Sequence, residues 1–192
     1  MKNLKLIMIV VCSLVLNSSC NNNSKKNFMD KESKNSVYSN TDTNKIVLSN
    51  EDWKEKLSPE VYHIAREKGT EAPWSSKYEH SNEIGTYYCA VCGNALFESD
   101  TKFESGCGWP SFYKPISKSS VIYANDTTHG MKRTEVMCGR CGSHLGHVFN
   151  DGPAPTGLRY CINGVVLDFE TAKEAEEKYN KGENKPGDFD AE

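Results

Sequence analysis

Two short units, Cys89-Ala-Val-Cys92-Gly93 and Cys138-Gly-Arg-Cys141-Gly142, constrain this chain more than any other feature. A soft tetrahedral cation needs four donors arriving from two directions. A CxxC turn supplies two thiols from one side, and the glycine that follows permits the tight backbone such a turn requires. Two such units, with 45 residues between them, predict one structural zinc ion held by four thiolates. That separation exceeds a short zinc ribbon, so other readings stay open. Either unit could be a thioredoxin-like redox dithiol, or all four cysteines could pair as disulfides in an oxidising compartment. A rival ligand set, Cys138, Cys141, His144 and His147, falls at three-residue steps. It would need one short run to wrap a whole ion and would leave Cys89 and Cys92 unemployed.

A length of 192 residues suits one ordinary domain with roughly 40–60 residues to spare. The surplus lies at the front. Residues 1–19 combine Lys2 and Lys5 with an apolar run, Leu6 to Leu16, that is too short to span a bilayer. This is the layout of a secretory signal. Its ending, Ser18-Ser19-Cys20, resembles a bacterial lipoprotein signal with Cys20 as the acylated first residue, although Asn17 stands where leucine is usual. Removal of the signal takes the formal charge from −3 to −5. No basic footprint remains, which argues against a dedicated nucleic-acid binder. In residues 21–45, Asn, Ser and Lys fill 16 of 25 positions, too few apolar groups to offset ordering entropy. Residues 20–45 are therefore expected to be a flexible tether, and the protein is expected in the bacterial cell envelope, lipid-anchored outside the cytoplasm.

The globular part is expected at 46–170, with a closing helix and polar tail over 171–192. Ser49 and Ser58-Pro59 are helix starts, because serine caps and proline at the first helical position loses no hydrogen bond. They predict helices at 50–56 and 59–67. Beyond Gly85, short apolar runs at 86–91, 121–124, 133–138, 145–149 and 158–169 are bounded by Gly, Pro, Asn and Asp. The expected class is α+β, mostly antiparallel sheet.

Two cysteines stand apart. Cys107 sits between glycines in Gly106-Cys107-Gly108-Trp109-Pro110, an irregular loop of the kind that holds reactive groups. Cys161 sits in Arg159-Tyr160-Cys161-Ile162-Asn163. If this is a strand, Arg159, Cys161 and Asn163 share a face while Tyr160 and Ile162 point into the core. The arginine would favour the thiolate, the nucleophilic form. Against this, a solitary cysteine is most often a small buried hydrophobe, and Asn163-Gly164 between apolar runs is a hairpin signal that would take Asn163 off that face. His144 and His147 are candidate proton donors.

The strings Gly-Thr-Glu-Ala-Pro (69–73), Leu-Phe-Glu-Ser (96–99), Lys-Phe-Glu-Ser-Gly-Cys-Gly-Trp-Pro-Ser-Phe (102–112), Arg-Thr-Glu-Val (133–136), Cys-Gly-Arg-Cys-Gly-Ser-His-Leu-Gly-His-Val-Phe (138–149) and Thr-Gly-Leu-Arg-Tyr-Cys-Ile-Asn (156–163) together resemble the methionine-R-sulfoxide reductases, the MsrB family. The resemblance implies two antiparallel sheets with N-terminal helices. It implies Cys161 as nucleophile, Cys107 as resolving cysteine, and Cys89, Cys92, Cys138 and Cys141 as zinc ligands. His144, His147 and Asn163 fall on positions that bind and protonate the sulfoxide oxygen. Trp109 falls on the aromatic that contacts the substrate methyl, Arg159 on a further active-site position, and Asp151 on a weaker one. Two departures stand out: Trp74-Ser75-Ser76 replaces Phe-Ser-Gly, and Gly164 replaces Ser after Asn163. Gly164 is expected to loosen the strand that holds Asn163.

The implied activity is reduction of methionine-R-sulfoxide, free or in oxidised proteins. It would pass through a Cys161 sulfenic acid and a Cys107–Cys161 disulfide, recycled by a thioredoxin-like reductant, in a protein expected to be monomeric. The rivals are a zinc-knuckle binding module with no activity, a thiol hydrolase using Cys161, His147 and Asn163, and a disulfide oxidoreductase using a metal-free CxxC.

Overall fold

A computed structural model describes residues 34–182. The signal at 1–19, Cys20, the tether as far as residue 33 and the tail from residue 183 lie outside the described residues.

Two helices open the domain, α1 (Asn50–Lys56) and α2 (Pro59–Glu67). Both begin where the serines predict. The Ser49 side chain accepts from the Asp52 N–H while Asp52 reaches back to Ser49, and the Ser58 side chain accepts from Val61. These contacts satisfy donors that the first helical turn cannot pair internally. α1 buries Trp53 completely, and α2 ends as Lys68 turns left-handed.

The strands are β1 (Gly85–Cys89), β2 (Ala95–Glu98), β3 (Lys102–Phe103), β4 (Ser111–Phe112), β5 (Val121–Asp126), β6 (Arg133–Cys138), β7 (His144–Phe149), β8 (Arg159–Ile162) and β9 (Leu167–Thr171). They form a three-stranded sheet, β2-β1-β9, and a six-stranded sheet, β3-β4-β8-β7-β6-β5, with every pairing antiparallel. Helix α3 (Ala172–Asn180) follows, with Thr171 and Glu174 forming its capping box. The core between the sheets is aromatic. Phe97 stacks on Phe112 at 4.4 Å, and Tyr87 lies edge-on to Phe112 at 5.0 Å. Phe169 from one sheet and Tyr160 from the other close the cluster.

Three expectations need correction. The run 158–169 does not fold back as a hairpin at Asn163-Gly164. It breaks at a 3-10 turn, Gly164–Val166, and its two halves join different sheets. Asn163-Gly164 is therefore a sheet-switch point rather than a hairpin turn. Gly164 does not loosen it, because the buried Glu71 carboxylate accepts from the Gly164 N–H at 2.6 Å and the Val165 N–H at 2.9 Å.

The third concerns residues 34–45, expected as tether but bound to the domain. They form a strap across both CxxC turns. The Asn35 side chain donates to Val91 O and the Ser39 N–H to Cys92 O. Arg140, only 4% exposed, donates to Ser39 O, Asn44 O and the Asp42 carboxylate. Ile46 N–H returns to Arg140 O, and Tyr38 and Lys34 both reach Asp168. An isolated Asn/Ser/Lys-rich stretch has no apolar reason to order. Here a buried guanidinium with backbone carbonyls to satisfy supplies one.

Candidate active site and metal centre

The four knuckle cysteines converge, with their Sγ atoms all within 4.8 Å of one another and all four residues buried. Cys89 and Cys141 stand 3.8 Å apart and Cys92 and Cys138 3.6 Å. Metal–sulfur bonds of about 2.3 Å in a tetrahedron give sulfur–sulfur edges of about 3.8 Å. The cluster thus fits a soft tetrahedral cation and is too open for disulfides. The rival ligand set does not assemble, since His144 and His147 are engaged with carboxylates elsewhere.

The reactive face follows from strand register. Across the six-stranded sheet, Ala124 pairs with Glu135, Glu135 with His147, His147 with Cys161, and Cys161 with Ser111. Directly opposed residues share a face, so one row carries Glu135, His147 and Cys161. Tyr160 and Ile162 turn inward as the alternation predicts. His144 and His147, three residues apart, would face opposite sides of a regular strand. A bulge at Leu145, seen as the register shift between Val136 and Met137, brings their rings to 5.5 Å on one side. Gly146 is required there, because a Cβ would collide with the Cys161 carbonyl.

A cavity of about 120 Å³ opens on this face, lined by Thr70, Trp109, Arg133, Gly146, His147, Phe149, Cys161 and Asn163. Of the expected residues it gathers Cys161, His147, Asn163 and Trp109. The Trp109 indole N–H donates to Glu71 O at 3.2 Å, which fixes the ring as a wall. Asn163 is 3% exposed; its Oδ1 accepts from the Glu71 N–H and its Nδ2 donates to Leu145 O. A carboxamide nitrogen carries a second hydrogen, which remains for the cavity.

Cys107 lies behind Cys161, with the sulfurs 3.5 Å apart. The hydrogen bond from Cys161, with help from Ser105 and Ser111, brings the Cys107 thiol down to about 4. The Cys161 thiol is held well above its usual range, first by the bond to Cys107 and then by burial. The contact therefore favours the proton on Cys161 and the negative charge on Cys107. Arg159 pulls Cys161 toward the thiolate, as its sequence position suggests, but the bond to Cys107 outweighs it. Arg159 is itself committed, in a two-bond fork to Asp151 at 2.9 and 2.8 Å over the Phe149 ring, and does not line the cavity.

His144 does not line the cavity either. It is 3% exposed, bonded through Nδ1 to Glu135 at 2.8 Å, and Glu135 is bonded in turn to Lys68 at 2.7 Å. Burial opposes the Glu135 charge, but the bonds from Lys68 and His144 outweigh it and hold the carboxyl below its usual range. Sequence reading missed Glu71, Asp126, Arg133 and Glu135 as site residues. Glu71, Arg133 and Glu135 lie inside the recognisable strings, but their roles depend on which strands pair.

The SelR domain family matches residues 57–171. The chain belongs to that family. Curated relatives named peptide methionine sulfoxide reductase MsrB are similar over most of their own length. That of Bradyrhizobium diazoefficiens is 58% identical over 130 residues, 68% of this chain and 94% of the relative. That of Methanosarcina barkeri is 59% identical over 132 residues, covering 69% and 93%. Leptospira interrogans has one 56% identical over 125 residues, covering 65% and 95%. In this SelR-family chain the matched region begins at residue 57, so the strap and α1, residues 34–56, lie outside it.

Proposed function

We propose that this protein, a peptide-methionine (R)-S-oxide reductase by family, reduces methionine-R-sulfoxide through a thiol cycle between Cys161 and Cys107. The observation that carries the cycle is the 3.5 Å sulfur contact directly behind the cavity, with Cys161 lining the cavity and Cys107 not. A sulfoxide oxygen leaves sulfur only when it is protonated. The Cys161 proton passes to Cys107, and the Cys161 thiolate attacks the sulfoxide sulfur while His147 protonates the oxygen. The sulfur–oxygen bond of the substrate breaks, methionine leaves with two more electrons, and the oxygen ends on Cys161 as sulfenic acid. The Cys107 sulfur then attacks Cys161, water leaves, and a disulfide forms. A thioredoxin-like dithiol reduces it by exchange. Trp109 faces the methyl group and the Asn163 and His147 donors face the oxygen, so one epimer fits.

Cys89, Cys92, Cys138 and Cys141 would hold zinc. A four-thiolate ion has no open position for chemistry and would serve to fasten the two turns. The signal-like N-terminus supports a lipid anchor at Cys20 and an envelope location, with oxidised envelope proteins as substrates. The binding-module reading leaves the cavity, the thiol pair and Trp109 without purpose.

The test is turnover of each epimer of N-acetylmethionine sulfoxide under dithiothreitol. R-only turnover is expected, lost in Cys161→Ser and retained in Cys107→Ser, because dithiothreitol reduces a sulfenic acid directly. With a thioredoxin in place of dithiothreitol, Cys107→Ser should stop after one turnover. No turnover by a folded chain would sink the enzyme reading. Mass spectrometry of the mature N-terminus tests the lipid on Cys20.

A further inference from the structure

His147 reaches the cavity from β7, but something must fix which nitrogen it presents. Its Nε2 lies 2.7 Å from Oδ2 of Asp126, on the edge strand β5. The same oxygen accepts from Arg133 Nη2 at 2.6 Å. The other carboxylate oxygen, Oδ1, accepts from the Thr128 N–H at 2.9 Å and the Thr128 hydroxyl at 2.7 Å. Asp126 and Arg133 are cross-strand partners in the register, and Thr128 sits in the turn between their strands. Four donors therefore converge on one carboxylate whose side chain is 11% exposed.

We propose that Asp126 is the positioning residue for proton delivery: it takes the Nε2–H of His147 and so directs Nδ1 at the sulfoxide oxygen. This rests on the reading of His147 as the acid. Nδ1 has no protein partner among the described residues, and His147 lines the cavity. Donation from the Thr128 hydroxyl and backbone, then from His147, holds the Asp126 carboxyl well below its usual range, so the anion persists at any working pH. Arg133 donates to the same oxygen and lines the cavity, and its Nε–H is buried without a partner.

Other charged groups also face His147. The His144 ring is 5.5 Å away on its own strand. Glu135 lies opposite on β6 but is committed to His144 and Lys68. Cys161, with Cys107 behind it, lies opposite on β8. Among the described residues, Asp126 rather than any of these groups bonds a His147 ring nitrogen.

The test pairs kcat/KM for the R epimer with nitrogen-15 spectra of the histidines, both on the intact chain. In the wild type, neutral His147 should carry its proton on Nε2, and a proton on Nδ1 overturns the assignment. Asp126→Asn should lower kcat/KM by about tenfold or more, and Asp126→Glu should restore part of it. Unchanged kinetics in Asp126→Asn would overturn the proposal. If Asp126→Asn does not fold, the wild-type tautomer decides. Wild-type turnover is read in the same series. Its absence would sink the reductase reading, while the tautomer would still decide the place of Asp126.

Discussion

At the residue scale, the two departures from the family pattern explain each other. A Cβ on Gly164 would lie 2.6 Å from the Ser76 Cβ, in the space the Ser76 side chain fills. Where the family pattern has Gly and Ser, this chain has Ser76 and Gly164, one side chain in one shared space. Gly164→Ser alone should therefore cost about 1–3 kcal/mol by overpacking next to Asn163. Ser76→Gly added to it should recover most of that loss, which urea unfolding of the double-mutant cycle would measure. His144 makes a different prediction. Burial pushes its pKa down and outweighs the Glu135 bond that pushes it up. The unfolded chain then binds the proton more tightly than the native one. Stability should be full above about pH 6.5 and fall as pH drops through the range beneath it. Urea midpoints between about pH 7.5 and 5.5 read this slope, and His144→Asn should flatten it.

At the element scale, the strap lies beyond the family match, as do α1 and α3. Truncation to residue 46 removes the Ser39, Asp42 and Asn44 partners of Arg140, leaves it Cys92 O, and uncovers a guanidinium that now has 3% side-chain exposure. The truncated chain should release metal to a chromogenic chelator several-fold faster than the chain from Lys34. Equal release rates would mean that the knuckle holds itself. The elements also show what the sequence could announce. Helices α1 and α2 were legible to the residue because serine caps and Pro59 act locally. β3 and β4 were not, since two residues carry no period to read. The sheet switch after Ile162 was hidden because its cause, the Glu71 carboxylate, lies 93 positions away in sequence. The site divides in the same way. Motif residues such as Cys161, His147 and Trp109 announce themselves, whereas Asp126 becomes visible only once β5, β6 and β7 are in register.

At the scale of the whole molecule, the cysteine cluster joins the two sheets. Cys89 ends β1 in the smaller sheet and Cys138 ends β6 in the larger. The aromatic stack of Phe97 on Phe112 is the second joint between them. Removal of the metal should therefore uncouple the sheets and abolish a single cooperative melt, which calorimetry before and after chelation would show. Phe112→Ala should cost about 3–5 kcal/mol while leaving metal content unchanged. The sulfur pair has a consequence for traffic with other proteins. Cys107 and Cys161 already touch in the reduced form, so closing the bond calls for a small local contraction rather than a rearranged loop. On the proposed thiol cycle, spent and recharged enzyme would then present nearly the same outline. A reductant would have no shape by which to choose between them. It would dock on both and let the exchange chemistry decide, so recharged enzyme would compete with spent enzyme for the same electron donor.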